Sequence, residues 1–291
     1  MIPSGARSHL APVLAVDIGA TKVDAAVAAP DGMLHDRRRL VLEEQLDLAA
    51  ALVSMLRAMV AENDVAAVGV GCAGPMTGHG ETVSPVNIAQ WREFPLRAVL
   101  AEGTGKDVFV DGDARALALA EGAVGAARGQ DSYLSMVVST GIGGGIVLNG
   151  RLLDGASGNA GHVGHLTVVP EGRLCHCLSR GCLEAEASGL AIEAMTGRPP
   201  READVTVRKH VGDLVGRAVG TLAATLDFTR CYVAGSVALG YGDEFFASAN
   251  ASATRVSTMP YTKDLRIERS GLDADGPLLG AAYVAWFGVA S

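Results

Sequence analysis

His165, Cys175, Cys177 and Cys182 lie within one short stretch of the chain. Cys175 and Cys177 are separated by a single residue, which suits joint ligation of a metal better than a mutual disulfide. Zinc takes four nitrogen or sulfur donors in a tetrahedron, and a closed set of protein donors makes a structural site. These four side chains supply such a set. The spacing, H-x9-C-x-C-x4-C, is not the common paired C-x2-C type. Buried or free thiols are the plainer alternative.

Two glycine-rich turns have the make-up to hold an anion. Asp17, Ile18, Gly19, Ala20, Thr21 and Lys22 join the apolar run 13–16 to a second run, 23–29. Thr140, Gly141, Ile142 and the glycines at 143–145 follow the run 133–139. Ile146, Val147 and Leu148 come next, then an Asn149-Gly150 pair, which is a hairpin signal. Each stretch therefore reads as strand, polar glycine turn, strand. A Walker loop needs G-x4-G-K-[ST] with a helix behind it, and a Rossmann fingerprint needs a helix directly after its glycines. Neither pattern is present. Two such turns, more than a hundred residues apart, suggest a duplicated domain with a nucleotide clamped between its halves. Taken alone, the Asp17 turn also fits an ordinary hairpin.

Asp113 is the candidate acid–base group. It follows the strand-like residues 108–110 and opens a helical pattern running from Ala114 to about Ala127. Aspartate is a natural N-cap there. The helix dipole also favours its ionised form, and an ionised carboxylate at a cleft can take a hydroxyl proton.

Other elements must position these groups. Residues 46–62 predict a helix whose apolar stripe is Ala49, Leu52, Val53, Leu56, Met59 and Val60. A strand at 65–71 runs into the turn Cys72-Ala73-Gly74-Pro75. A short helix covers 96–102 and is stopped by Gly103. Ser188-Gly189 leads into a helical segment broken at Arg198-Pro199-Pro200, and a longer helix covers 211–226. A strand at 231–234 ends in the turn Gly235-Ser236-Val237, and a late strand covers 265–267. Pro277 opens a final helix to about Phe287, apolar nearly all round and so expected to be buried. Residues 1–12 read as an unstructured lead-in.

The 291 residues suffice for two modest domains or one large one. With 49% hydrophobic and 19% charged residues, a sizeable core is expected and global disorder is excluded. The net charge of -8 argues against a nucleic-acid surface. An anionic cofactor can still bind at a local turn or helix end. The chain shows neither a signal-peptide run nor a membrane span. Cysteines without a secretory signal fit a reducing cytoplasm.

The ordered set of stretches resembles the ROK family of repressors and sugar kinases. The family pattern G-x-x-G-x-A-G-E-x-G-H, then C-x-C-G-x-x-G-C-x-E, is matched by Gly155, Gly158, Ala160, Gly161, Gly164, His165, Cys175, Cys177, Gly181, Cys182 and Glu184. His162 stands where the family has Glu, and Leu178 where it has Gly. The first turn is similar to D-I-G-x-T-K, and the second to G-T-G-I-G-G-G with Ser139 for the first Gly. Asp113 and Ala114 match the centre of N-D-A-N, with Gly112 and Arg115 replacing the two Asn. Gly74 falls in G-x-P-G-P-x-D, where Ala73 and Thr77 depart. Asn87 and Trp91 match N-x-x-x-W, and Gly235-Ser236-Val237 resembles a G-G-x-V turn that lies against adenosine.

The resemblance implies an α/β, actin-like (ribonuclease H-like) ATPase fold. It implies two domains around a cleft, with a zinc-bound loop. The domains would be 13–113 plus 277–291, and 114–276. The implied reaction is ATP-dependent phosphorylation of a hexose or N-acyl amino sugar, with Asp113 as general base. Asp17, Gly19, Thr21, Lys22, Thr140, Gly141, Gly235 and Ser236 would bind ATP and Mg²⁺. Gly74, Asn87, Gly112, Asp113, His162, His165 and Glu184 would contact the sugar. His165, Cys175, Cys177 and Cys182 would hold Zn²⁺. A neutral His at 162 accepts one hydrogen bond and donates one, whereas a carboxylate accepts two. His162 should therefore recognise a different hydroxyl pattern, or an acyl or amino group. The implied assembly is a homodimer or dimer of dimers in the cytoplasm, without nucleic-acid or membrane partners. Family repressors carry a DNA-binding region ahead of the first turn, for which the residues before Val13 are too few. A non-catalytic sugar sensor with an altered sugar site is the alternative.

Overall fold

The computed structural model describes residues 10–85 and 88–290. Most of the lead-in, together with Asn87, lies outside them. Contacts divide the chain into two compact units. The first holds residues up to Ala123, then Asp154–Ala160, then Asp273 onward; the second holds Val124–Leu153 and Gly161–Leu272.

The first unit begins with β1 (Val13–Ile18), β2 (Lys22–Ala28) and β3 (Leu34–Val41). These strands pair antiparallel in that order. α1 (Leu48–Glu62) follows, capped by Asp47, whose carboxylate accepts from the Ala50 N–H at 3.0 Å. It buries Leu52, Leu56 and Met59 of the predicted stripe, together with Leu48 outside it, while Ala49, Val53 and Val60 are only partly buried. β4 (Ala67–Cys72) is buried along its whole length, as a central parallel strand should be. A small hairpin, β5 (Met76–Thr77) and β6 (Thr82–Val83), precedes α2 (Leu96–Thr104), β7 (Asp107–Gly112) and α3 (Asp113–Ala123). The main sheet has the order β3-β2-β1-β4-β7, with β1, β4 and β7 parallel.

The second unit repeats this plan. β8 (Tyr133–Val138), β9 (Ile142–Leu148) and β10 (Arg151–Leu152) pair antiparallel. α4 (Leu183–Ala187), α5 (Gly189–Thr196) and α6 (Val205–Leu226) follow. β11 (Arg230–Ala234), α7 (Ser236–Val256) and β12 (Arg266–Arg269) complete it. The sheet order is β10-β9-β8-β11-β12, with β8, β11 and β12 parallel. α6 and α7 pack backbone to backbone: a Cβ on Gly216 would lie 2.2 Å from the Ala249 carbonyl oxygen. The chain then returns to the first unit with α8 (Gly276–Val289). α8 buries Leu278, Tyr283, Val284 and Trp286, as its all-round apolarity predicts.

Three features differ from the sequence reading. β3 was not expected, because Asp36, Arg37, Arg38 and Arg39 break its apolar character; it is an edge strand whose charges face solvent and discourage further pairing. α7 was not expected either. It is rich in small residues and is kinked at Gly242, whose φ of 63° is non-helical. From sequence, the first unit stops at Asp113, but α3 packs with that unit. A Cβ on Gly280 of α8 would lie 2.7 Å from the Ala116 carbonyl carbon of α3, so the two helices meet at their backbones. Among the described residues, no helix is long and apolar enough to cross a membrane.

Candidate active site and metal centre

In the first unit, Asp17 pairs in register with Asp24 on β2 and with Gly71 on β4. Asp113 begins α3 immediately after β7, and its carboxylate accepts from the Ala114 N–H at 2.7 Å. Gly71 separates the two acids. A Cβ there would sit 3.5 Å from the Asp113 Cα and 3.8 Å from an Asp17 carboxylate oxygen. Burial, reinforced by the charges of Asp113 and Asp24 and opposed by Lys22, pushes the Asp17 carboxyl up to about 7. Asp113 itself is exposed. The buried Cys72 thiol beside them is pushed up, first by burial and then by the two carboxylates.

This arrangement suits a cation. One partly shielded carboxylate and one exposed carboxylate share a small region, and a divalent ion would relieve their repulsion. The turn ahead of β2 is closed by the Gly19 N–H donating to the Lys22 carbonyl at 3.0 Å, with Thr21 exposed at its tip. Lys22 pairs with Asp24 at 2.8 Å. Gly74 lies in the turn after β4, before β5. Gly112 ends β7, and its N–H donates to Asp111 at 2.7 Å.

In the second unit, the predicted nucleotide residues converge. The Ser139 N–H donates to the Gly141 carbonyl at 3.0 Å, closing the turn. The Ser139 hydroxyl lies 3.0 Å from that of Ser236 at the start of α7. Gly235, with φ of 100°, passes so close to β8 that a Cβ would fall 2.3 Å from the Val138 carbonyl oxygen. Only glycine fits there. Thr140, Gly141, Gly235 and Ser236 thus form one surface.

Glu184 reaches the same turn. It stands in the first turn of α4, and one carboxylate oxygen accepts from the Ile142 N–H at 2.9 Å. Its other oxygen makes no hydrogen bond among the described residues. The sequence places Glu184 at a sugar but gives no sign of this link to the phosphate-type turn. The segment carrying His162 and His165 lies against that turn too. A Cβ on Gly164 would be 2.2 Å from the Ile142 carbonyl oxygen. The two imidazoles are exposed, with centroids 6.0 Å apart.

The four candidate metal ligands do come together. One donor atom each from His165, Cys175, Cys177 and Cys182 lies within 4.8 Å of all the others. His165 Nδ1 is 3.6 Å from Cys175 Sγ, and Cys177 Sγ is 3.6 Å from Cys182 Sγ. A tetrahedron with Zn–S of about 2.3 Å and Zn–N of about 2.0–2.1 Å has edges of roughly 3.5–3.8 Å. The donor set and its spacing fit zinc. Burial, then the Cys177 and Cys175 thiols, pushes the Cys182 thiol up to about 12. A backbone hydrogen bond from Ser179 draws Cys177 down. Three thiols so close cannot all ionise without a cation to share.

Backbone turns hold this cluster. The Leu178 N–H donates to the Cys175 carbonyl at 2.9 Å, and the Cys175 N–H to the Ser179 carbonyl at 2.8 Å. Leu178 has φ of 70°, a left-handed conformation that costs an L-residue roughly 1–2 kcal/mol. The Gly of the family pattern would pay no such penalty, so the departure at Leu178 is tolerated rather than neutral. Glu186 escaped the sequence reading. It is buried, accepts from the Arg173 N–H at 2.6 Å, and holds one end of the cysteine hairpin. No spacing marked it apart from Glu184. The network around Arg115 escaped for the same reason.

Known proteins were compared with the chain. The ROK family model matches residues 13–286. The chain is 34% identical over 294 residues to an N-acetylmannosamine kinase of Escherichia coli (strain SE11), covering 94% of this chain and 97% of that one. Its structure is similar to a ROK hexokinase from Thermus thermophilus, with TM-score 0.81, 32% identity and coverage of 96% and 99%. It is also similar to a ROK family glucokinase from Streptomyces griseus in complex with glucose and AMPPNP, with TM-score 0.80, 28% identity and coverage of 95% and 99%. The α/β fold with its mixed sheets is that of the ROK sugar kinases. The chain belongs to the ROK family.

Proposed function

We propose that this protein transfers the γ-phosphoryl group of ATP to a hydroxyl, usually the 6-hydroxyl, of a hexose or N-acyl amino sugar. The chain is an ATP-dependent carbohydrate kinase, in keeping with N-acetylmannosamine kinase relatives that match nearly its whole length. The observation that carries the finer reading is the pair of carboxylates flanking Gly71, one raised to about 7 and one exposed at the start of α3.

Asp113 is the general base. It accepts the sugar hydroxyl proton as the oxygen attacks the γ-phosphorus, and ADP leaves with the bridging oxygen. Most catalysis in phosphoryl transfer is positioning and charge stabilisation. The turn amides near Gly19 and Gly141, with Thr21 and Thr140, hold the phosphates. Gly235 and Ser236 lie against the nucleoside. Asp17 would hold Mg²⁺, usually through water; bound there, the ion supplies neutralisation of phosphate charge. Glu184, His162 and His165 hold sugar hydroxyls, and Gly74, Asn87 and Gly112 are the further sugar-binding residues of this reading. His165, Cys175, Cys177 and Cys182 hold zinc, which fixes the loop and presents Glu184 next to Cys182. A cytoplasmic homodimer or dimer of dimers completes the reading.

The departures at Gly112, Arg115 and His162 favour altered sugar choice over lost activity. They also keep one rival in view, a non-catalytic sugar sensor. ADP release with Mg²⁺-ATP decides between them. The sugar panel is glucose, mannose, fructose, allose, glucosamine, N-acetylglucosamine and N-acetylmannosamine. Turnover with one sugar is expected, and its identity shows what His162 selects. Sugar binding without turnover on any member would favour the sensor.

A further inference from the structure

Arg115 is a buried arginine in a helix of alanines and leucines, with its side chain 8% exposed. A guanidinium does not lose its charge in proteins. Its burial therefore demands acceptors, and every arm has one. Nε and Nη2 grip both carboxylate oxygens of Asp111, near the end of β7, at 2.5 and 3.2 Å. Nη2 also donates to Asp154 at 3.0 Å, and Nη1 donates to the Ala160 carbonyl at 3.0 Å. Asp154 and Ala160 are the two ends of the segment that packs with the first unit. The same segment is held again near both ends. Asn159 exchanges hydrogen bonds with the Met76 backbone at 2.8 and 3.1 Å. His79 lies 3.3 Å from Asp154.

Gly112 makes room for this grip. A Cβ at Gly112 would lie 3.3 Å from the Arg115 Cδ and 3.6 Å from its Cγ. The first of these contacts is tighter than usual, so a Cβ at 112 would need the arm of Arg115 to give by a few tenths of an ångström. Asp113 stands between the two in sequence. His162 follows Ala160 with only Gly161 intervening.

We propose that Arg115 is a positioning residue. With Gly112 vacant beside it, it latches Asp154–Ala160 to the start of α3. It thereby fixes the chain that runs into His162 and steadies the turn carrying Asp113. The consequence for sugar binding rests on the kinase reading; the latch itself does not.

The test measures both. In Arg115→Met, hydrogen exchange at the amides of 155–160 should speed up, while β1 and β4 keep their protection. The KM for sugar should rise by about tenfold, and the KM for ATP should stay within about twofold. Arg115→Lys keeps the charge without the fork and should recover only part of the loss. Gly112→Ala should act in the same direction, and the Gly112→Ala, Arg115→Met double variant should show less than the product of the two effects. If Arg115→Met does not fold, Asp154→Asn removes one arm from the partly exposed side and is read the same way. Unchanged exchange at 155–160, equal loss for sugar and ATP, or multiplicative effects in the double variant would overturn the proposal. If the wild-type protein turns over no sugar, the kinase reading fails, and exchange still judges the latch.

Discussion

The two sheets share strand order and direction, with three antiparallel strands followed by parallel ones, but their first hairpins carry different chemistry. The β1–β2 hairpin holds Asp17, Lys22 and Asp24, with Asp113 just beyond Gly71. The β8–β9 hairpin holds Ser139, Thr140, Gly141 and further glycines, and a carboxylate reaches it from Glu184 on another element. In the first half, Gly71 on β4 lies beside both acids. In the second, glycines on β9 and at Gly164 let the histidine segment lie close to the turn. One backbone plan thus serves twice, once for handling charge and once for presenting neutral donors beside a metal-ligand cluster. Side chains, not topology, divide the labour.

The largest effect is expected at the candidate metal ligands of the second half. Structural zinc contributes roughly 10–16 kcal/mol of apparent binding free energy in small zinc-finger peptides. Cys182→Ser should abolish a zinc content of about one equivalent, measured by atomic absorption. The sugar loop should loosen first, and ATP binding should weaken later, through the Glu184 bond to Ile142. Equal and simultaneous loss of both would show that the metal supports the whole fold instead of this half.

A smaller effect belongs to Asp17 and separates the halves by pH. Its carboxyl binds a proton more tightly in the folded chain, at about 7, than in the unfolded chain, near 3.8. Its contribution to stability is therefore complete below about pH 4 and is withdrawn as pH rises to about 7. The slope is at most about 1.4 kcal/mol per pH unit. Asp17→Asn removes this dependence. The stability of the variant relative to wild type, from urea melts without divalent metal, should rise across that window and level off above it. A difference independent of pH would mean that Asp17 is solvated like a surface acid.

The smallest effect is expected at the rim of the first hairpin. Burial raises the Asp24 carboxyl, but hydrogen bonds from Arg39 and Lys22 outweigh it and hold the group below its ordinary value. Arg39 is mostly exposed, so Arg39→Ala should leave the midpoint of the same melts almost unchanged. A clear fall would make this ion pair part of the site.

Legibility in the sequence followed the physics of each element. Buried strands such as β1 and β4, and the all-apolar α8, announce themselves by runs of hydrophobic residues. The glycine turns are legible because their flanks exclude a helix. The cluster of candidate metal ligands is legible because its cysteines and histidine fall within one short stretch of chain. β3 was hidden by Asp36, Arg37, Arg38 and Arg39, which leave it no fully apolar face. α7 was hidden by small residues whose value lies in close packing on α6. Glu186 and Asp154 were hidden because a carboxylate's worth depends on which N–H or guanidinium the fold brings to it. The Arg115 grip is the clearest case. Gly112 and Arg115 were visible as separate departures from the family pattern, but only the 3.3 Å approach shows that they form one device.

The central claim is that Asp113 carries the proton transfer as general base. The direct measurement pairs ADP release with calorimetric sugar binding, for wild type and Asp113→Asn, using whichever sugar the panel identifies. The account predicts a fall in kcat of roughly 10²–10⁴. Sugar affinity should change by no more than about twofold, because the amide keeps the shape of the carboxylate. A near-wild-type rate in Asp113→Asn would contradict it.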